Sequence, residues 1–136
     1  MAEILFVAAE GLPFVKTGGL ADVIGSLPQA MLKEDFKVSV VMPLYLKTAR
    51  TQHGSLTRLA TFPIRLGIYN TVATVYRKEQ NGIHYYLIEH AGYFEREGYY
   101  GYPDDGERFA FFQHAVLRMI EEKICEPVVI HSHDWH

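Results

Sequence analysis

The sequence predicts an α/β fold, on three observations. Two short apolar runs, Ile4 to Ala9 and Val38 to Met42, read as strands buried on both faces. Between them Leu20, Val23, Ile24, Leu27 and Met31 recur at helical spacing, one apolar stripe aimed at a sheet. Strand, loop, helix and strand within roughly forty residues make a βαβ unit, with parallel strands and a right-handed crossover.

Taken in order, the first strand is bounded by Glu3 and Glu10, and a loop from Glu10 to Gly19 leads into the helix. Pro28 falls inside the helical stripe and removes one backbone bond, which predicts a kink or a restart there. Pro43 stops the second strand. Thr71 to Arg77 alternates and is rich in β-branched residues, Asn81-Gly82 is a hairpin-turn signal, and Ile83 to Ile88 returns as a strand. This predicts a β-hairpin inserted into the parallel scaffold, with Thr61 to Leu66 as a third partner. Gly92 to Gly106, rich in Gly, Tyr and charge, predicts a loop that caps the next helix through Asp104 and Asp105. Phe109, Phe112, Val116, Met119 and Ile120 mark that helix, and Val128-Val129-Ile130 a last short strand after Pro127.

Composition bounds what the chain does. Its 136 residues suit one domain, with no internal repeat or interdomain linker. Hydrophobic residues make up 49% and charged residues 21%, which places it among globular rather than disordered chains. A formal net charge of -3 and no basic run give no electrostatic basis for nucleic-acid or membrane partners. Cys125 is the single cysteine, so no disulfide framework is expected and a cytoplasmic setting fits. The N-terminus carries no signal- or transit-peptide pattern.

The chemistry-bearing stretch is Lys16-Thr17-Gly18-Gly19-Leu20-Ala21-Asp22, between the first strand and the helix. Adjacent glycines let a backbone turn tightly and approach a ligand closely. The helix that follows aims free N–H groups and its positive dipole end at the same spot. With Lys16 these form a candidate phosphate site beyond the carboxyl end of the first strand. The segment is neither a Walker A loop, since its glycines follow the Lys-Thr pair, nor a dinucleotide fingerprint, since no third glycine is spaced for one. The bland alternative is a tight strand-to-helix connection with a solvated lysine.

The second cluster is His131-Ser132-His133-Asp134-Trp135-His136. His131 and His133 are two apart and point the same way on a strand. Three readings stand: a divalent-metal site, a strand end with hydrogen-bonded histidines, and a sugar site in which Asp134 accepts from hydroxyls, Trp135 is an apolar wall and His136 a donor. Spacing favours metal only weakly, because a closed site needs ligands from a second rigid element. The aromatics of Tyr93 to Tyr102 suit stacking on sugars, although most of these tyrosines are expected to cover a hydrophobic edge. Glu95, Glu97, Asp104 and Asp105 argue against a nucleic-acid platform there. His53, His84, His90 and His114 are read as structural or solvated, and Cys125, in apolar surroundings beside glutamates, as no nucleophile.

These residues resemble a known family. Ile4 to Glu10 followed by Pro13 to Pro28, then Tyr93 to Gly101, Glu107-Arg108-Phe109-Ala110 and His131 to His136, look like the N-terminus of bacterial glycogen synthases and plant starch synthases. The resemblance runs end to end and is weakest over residues 45–80. It implies a retaining glucosyltransferase of GT-B type, whose two Rossmann-like domains face each other across a cleft. Such enzymes move glucose from a nucleotide-diphosphate glucose, ADP-glucose in most bacterial members, to the non-reducing end of an α-1,4-glucan such as glycogen. No cofactor or divalent metal is implied.

Residue by residue, the resemblance places Lys16 at the phosphate or transferred glucose, and the backbone of Gly18 and Gly19 at the distal phosphate. It makes Asp134 the catalytic-site carboxylate on sugar hydroxyls near the reacting carbon. Asp22 and Tyr100 resemble positions near the sugar and acceptor, and His133 and His136 groups that hold the loop. Gly11 stands where the family varies, and nothing is drawn from it.

Residues 1–136 then correspond to part of the N-terminal, acceptor-side domain, with the C-terminal nucleotide-binding domain absent. The expectation is a fragment, inactive on its own, that exposes an apolar sheet edge. Lack of a transit peptide leans toward a bacterial, cytoplasmic protein. Two readings compete: a non-catalytic α/β module binding glucan or a phosphorylated ligand, and a small metal-dependent hydrolase using the terminal histidines.

Overall fold

The computed structural model describes residues 1–52 and 54–136, and His53 lies outside the described residues. The strands are β1 (Glu3–Val7), β2 (Lys37–Pro43), β3 (Thr57–Leu66), β4 (Tyr69–Gln80), β5 (Ile83–Glu89) and β6 (Val129–Ser132). The helices are α1 (Gly19–Leu32), α2 (Leu46–Thr51), α3 (Ala91–Phe94) and α4 (Asp105–Glu121). The strands form one six-stranded sheet in the order β3-β4-β5-β2-β1-β6. β1 pairs parallel with β2 and with β6, and β2 parallel with β5. The predicted α/β class and parallel βαβ unit are present.

Burial explains the positions. Every residue of β1 is buried, and so is β2 after Lys37, so both faces of these central strands are covered. α1 packs over β2 and β5, and α4 over β3 and β2. α1 continues through Pro28 without the predicted restart. Ala21, Ile24 and Pro28 form its buried stripe, so the proline ring packs where an apolar residue is needed and offsets its missing N–H.

The predicted hairpin is β4-β5, turning at Asn81 (φ 53°) and Gly82 (φ 81°), the backbone of a type I′ turn. It is not a separate insertion. β5 is an internal strand, paired with β2 from Ser39–His84 to Pro43–Ile88, and only β4 and β3 extend the sheet antiparallel. The sequence distinguishes the two roles: Ile83 to Ile88 is nearly continuously apolar, whereas Phe62 and Ile64 alternate with exposed Thr61, Pro63 and Arg65. Pro63 is tolerated because β3 is an edge.

The opposite edge is β6, which among the described residues pairs only with β1; Val128, just before it, and Val129 and Ile130 within it are 68%, 47% and 50% exposed. Among the described residues no helix is long and apolar enough to cross a membrane.

Candidate functional site at the carboxyl ends of the parallel strands

The loops that follow β1, β2 and β5 gather at one end of the sheet, as parallel pairing requires. The first carries the Lys16-to-Gly19 stretch. Gly18 is the residue before α1, extended at φ -163°, and no side chain caps the helix there. A Cβ built on Gly18 or Gly19 meets nothing within 4 Å among the described residues. Neither backbone strain nor packing within the chain therefore demands glycine at these two positions. Lys16 Nζ lies 2.7 Å from Asp22 Oδ1, one turn into the helix, and both side chains are half exposed.

Glu10 organises this loop. Its Oε2 accepts from the backbone N–H of Thr17 at 2.7 Å and of Gly18 at 3.2 Å. Its Oε1 accepts from Thr17 Oγ1 at 2.5 Å and from the Tyr100 hydroxyl at 2.9 Å. Burial opposes ionisation of Glu10, and these hydrogen bonds outweigh it, holding the carboxyl below its usual range. Burial, with the Glu10 carboxylate beside it, pushes the Tyr100 hydroxyl well up. From the sequence Glu10 marks the end of a strand and belongs to a family motif, but carries no role in the site. The available signal was a glutamate directly continuous with a fully apolar run, where a charge needs partners.

The loop from Tyr93 to Asp105 is held by its own contacts. His90 Nδ1 accepts from Tyr93 N–H at 3.1 Å, and its ring stacks on that of Tyr93 at 4.2 Å. Tyr93 donates to Glu107, Tyr99 packs edge-on against Tyr45, and the Tyr102 hydroxyl accepts from Gly98 N–H. Most of the tyrosines are thus structural, as the sequence suggested, and Tyr100 is the one tied to the glycine loop. Asp104 and Asp105 do not cap α4 with their side chains. Asp104 pairs with Arg96 at 2.7 Å, while Asp105 accepts from Gly101 and Tyr102 N–H and from Arg108.

Arg108 is fully buried and was read from the sequence only as part of a motif. Its Nε donates to Tyr93 O at 2.7 Å, and its Nη1 to Tyr99 O at 3.0 Å and Asp105 Oδ1 at 2.8 Å. The rings of Phe94, Tyr102 and Phe109 surround the guanidinium at 5.5, 4.9 and 5.3 Å.

The C-terminal cluster lies beside the tyrosine loop. His133 N–H donates to Val7 O at 3.0 Å, and its ring stacks on Phe6. His131 Nδ1 and His133 Nε2 are 2.8 Å apart, the same-side placement expected on a strand. Asp134 is exposed at φ 62° and accepts from Trp135 N–H at 2.8 Å. His136 stacks on Tyr100 at 5.1 Å, meets Phe109 edge-on at 4.6 Å, and keeps Nδ1 buried without a partner among the described residues. Gln113 on α4 donates to the carbonyls of Trp135 and His136. Burial lowers the pKa of His133, helped by His131, and burial lowers that of His136 against the pull of nearby carboxylates.

The predicted site residues therefore form two groups. Lys16, Gly18, Gly19, Asp22 and Tyr100 surround Glu10 or its loop. His133, Asp134 and His136 line a hollow of about 300 Å³ with Val7, Gln113, Val116, Leu117 and Trp135, a hollow that none of the first group lines. The Tyr100–His136 stack joins the groups. Among the described residues no set of three or more His, Cys, Asp or Glu is placed to hold a metal ion. His114 is exposed, His90 structural, and Cys125 buried with its thiol pushed up to about 12 by burial, then by Glu3.

A family model for the starch synthase catalytic domain matches residues 3–136. Glycogen synthase of Desulforamulus reducens is 43% identical over 134 residues, and that of Oceanobacillus iheyensis 45% over 136. These alignments cover 98% and 99% of this chain, which spans 28% of the length of each relative. In structure, the catalytic domain of starch synthase IV from Arabidopsis thaliana, solved with ADP and acarbose bound, superposes with a TM-score of 0.84 at 26% identity. That match covers 98% of this chain and 28% of the other. The chain belongs to the starch synthase catalytic domain family.

Proposed function

We propose that this chain supplies the donor-phosphate loop of a bacterial, cytoplasmic glycogen synthase that transfers glucose from ADP-glucose to the non-reducing end of an α-1,4-glucan with retention. The observation that carries the reading is the pair Gly18-Gly19 at the start of α1. The folded chain has no need of glycine there, and a Cβ would project into open space. A ligand approaching the backbone does need it. An uncapped helix start with Lys16 beside it suits the diphosphate that leaves with negative charge. The adenine nucleotide and oligosaccharide bound by the Arabidopsis relative support ADP-glucose and glucan as the two substrates.

In this reading Lys16 must part from Asp22 to meet phosphate, and Asp22 is then free to accept from a sugar hydroxyl. The backbone of Gly19 faces the distal phosphate, while the Gly18 N–H stays with the Glu10 carboxylate. Asp134, exposed on a tight turn, accepts from hydroxyls near the reacting carbon, and Tyr100 lies toward the acceptor. His133 and His136 hold the Asp134 turn through Phe6, Val7 and Tyr100. The chemistry asks for developing charge to be stabilised and water to be excluded, which two domains closing on the donor accomplish. The residues described here form only one wall of such a cleft, so the 136-residue chain alone is expected to be inactive.

The test is incorporation of glucose from ADP-glucose into glycogen, comparing the uninterrupted protein that carries this chain with residues 1–136 alone. Transfer only by the longer protein, abolished by Lys16→Ala or Asp134→Asn with folding intact, supports the reading. Failure of the longer protein to transfer from either ADP-glucose or UDP-glucose overturns it and leaves a glucan- or phospho-ligand-binding module.

A further inference from the structure

Glu10 is 4% exposed three residues beyond the end of β1, and a carboxylate so placed is costly unless its oxygens are hydrogen-bonded. It has four donors: Thr17 N–H, Thr17 Oγ1, Gly18 N–H and the Tyr100 hydroxyl. Two of them are backbone groups of the stretch just before α1, and one comes from a loop ninety residues further along the chain. The carboxylate thereby fixes the backbone on the near side of Gly18, immediately ahead of the uncapped start of α1. Gly18 and Gly19 are restrained by no side-chain packing of their own, so without this anchor the loop has wide freedom. Through Tyr100 the same carboxylate reaches the ring of His136, beside Asp134.

We propose that Glu10 is a positioning residue for the transfer assigned above: it locks the Thr17–Gly18 backbone to Tyr100, setting the donor-phosphate loop in register with the Asp134 turn. The proposal rests on that functional reading. Glu10 touches neither substrate in this scheme and exchanges no proton, because its bonded carboxylate stays ionised. Its contribution is preorganisation, which matters because small misplacement of reacting groups is expensive in rate.

The experiment uses the uninterrupted protein as wild type, Glu10→Ala and Glu10→Gln. It measures kcat and KM for ADP-glucose, the thermal midpoint, and amide hydrogen exchange at Thr17 and Gly18. Glu10→Ala is expected to lower kcat/KM about 10- to 100-fold per folded molecule and to speed exchange at both amides. Glu10→Gln is expected to recover most of that loss: its amide oxygen accepts from the two N–H groups, while its NH₂ faces hydroxyls that reverse their roles. Should Glu10→Ala fail to fold, Thr17→Val, which removes one donor, is expected to raise KM and speed exchange at Gly18. Wild-type kcat/KM in Glu10→Ala, or in Thr17→Val where the first does not fold, overturns the proposal. So does a Glu10→Gln variant as impaired as Glu10→Ala, which would make the charge itself the requirement. A wild-type protein with no transferase activity counts against the functional reading instead. The exchange comparison then decides the lock by itself, and unchanged exchange in Glu10→Ala overturns it.

Discussion

Replacing Arg108 with methionine tests how the tyrosine loop is held. The guanidinium is fully buried and donates to the carbonyls of Tyr93 and Tyr99 and to the Asp105 carboxylate. Methionine fills a similar volume and keeps the contact with the rings of Phe94, Tyr102 and Phe109. It leaves the two carbonyls without their donor, at about 1–3 kcal/mol for each one that stays dry. Asp105 suffers less, because Gly101 and Tyr102 N–H continue to bind it and it is 19% exposed. Against these losses stands the relief of a buried cation, since replacing buried ions by apolar groups is often neutral or favourable. The two carbonyls dominate, and the net expectation is a loss of about 3 kcal/mol, a substantial fraction of the roughly 5–15 kcal/mol that holds a domain together. Urea unfolding of wild type and Arg108→Met, followed by far-UV circular dichroism, reads this directly. Arg108→Lys should fall between them, as one ammonium reaches fewer of the three acceptors. A methionine variant within about 0.5 kcal/mol of wild type, the usual range of an inert surface change, would refute the claim that the arginine anchors this loop.

Three further outcomes are expected. Gly11→Ala should destabilise by about 1–3 kcal/mol through overpacking, because its Cβ would collide with Ile24 Cγ2 and press on Met42 Cε at 3.1 Å; an unchanged urea midpoint would show that α1 yields without cost. Gly82→Ala should cost about 1 kcal/mol or more, as Gly82 sits at φ 81° and a Cβ there meets Leu32 Cδ2 at 2.9 Å, and the readout is again the urea midpoint. Stability should fall with acid in two stages. His90, His133 and His136 have folded pKa values lowered from the ordinary 6.5, chiefly by burial, so the unfolded chain binds more protons and stability declines as pH drops below about 6.5. Glu10, Asp104 and Asp105 have lowered carboxyl pKa values, so their contribution is present above the ordinary carboxyl range and is lost as pH falls below it through their folded values. Urea midpoints measured from pH 8 to pH 3 that stay flat between 7 and 5 would rule out the histidine stage.

The strands and the two long helices were legible because each has one dominant environment, whereas the short α2 and α3 show no apolar stripe and went unread, α3 overlapping the start of the loop expected from Gly92. A fully apolar run such as Leu5 to Ala9 has only the interior to occupy, and Asn81-Gly82 has few alternatives to a hairpin turn. The same reasoning went astray where a residue answers to two demands. Pro28 breaks helices by its backbone and suits this one by its ring, and the buried face of α1 decides in favour of the ring. β5 looked like half of an isolated hairpin because its link to β4 is local, whereas its pairing with β2 is a long-range contact that no window of sequence displays.

The site divides along the same line. Lys16, Gly18 and Gly19 announce themselves because glycines at a helix start carry a chemical meaning without reference to the rest of the chain. Glu10 and Arg108 do not, because a charge in sequence reads as solvent-facing until its partners are known. Their partners are scattered: Thr17, Gly18 and Tyr100 for Glu10, and Tyr93, Tyr99 and Asp105 for Arg108. Both charges clamp the same stretch of chain, Tyr99 directly to Arg108 and Tyr100 directly to Glu10. Adjacent residues are thus tied to opposite neighbours, one to α4 and one to the glycine loop. A shift of the tyrosine loop cannot leave the glycine loop undisturbed while both ties hold. That coupling, rather than the composition of either loop, is what the three-dimensional arrangement adds to the motifs.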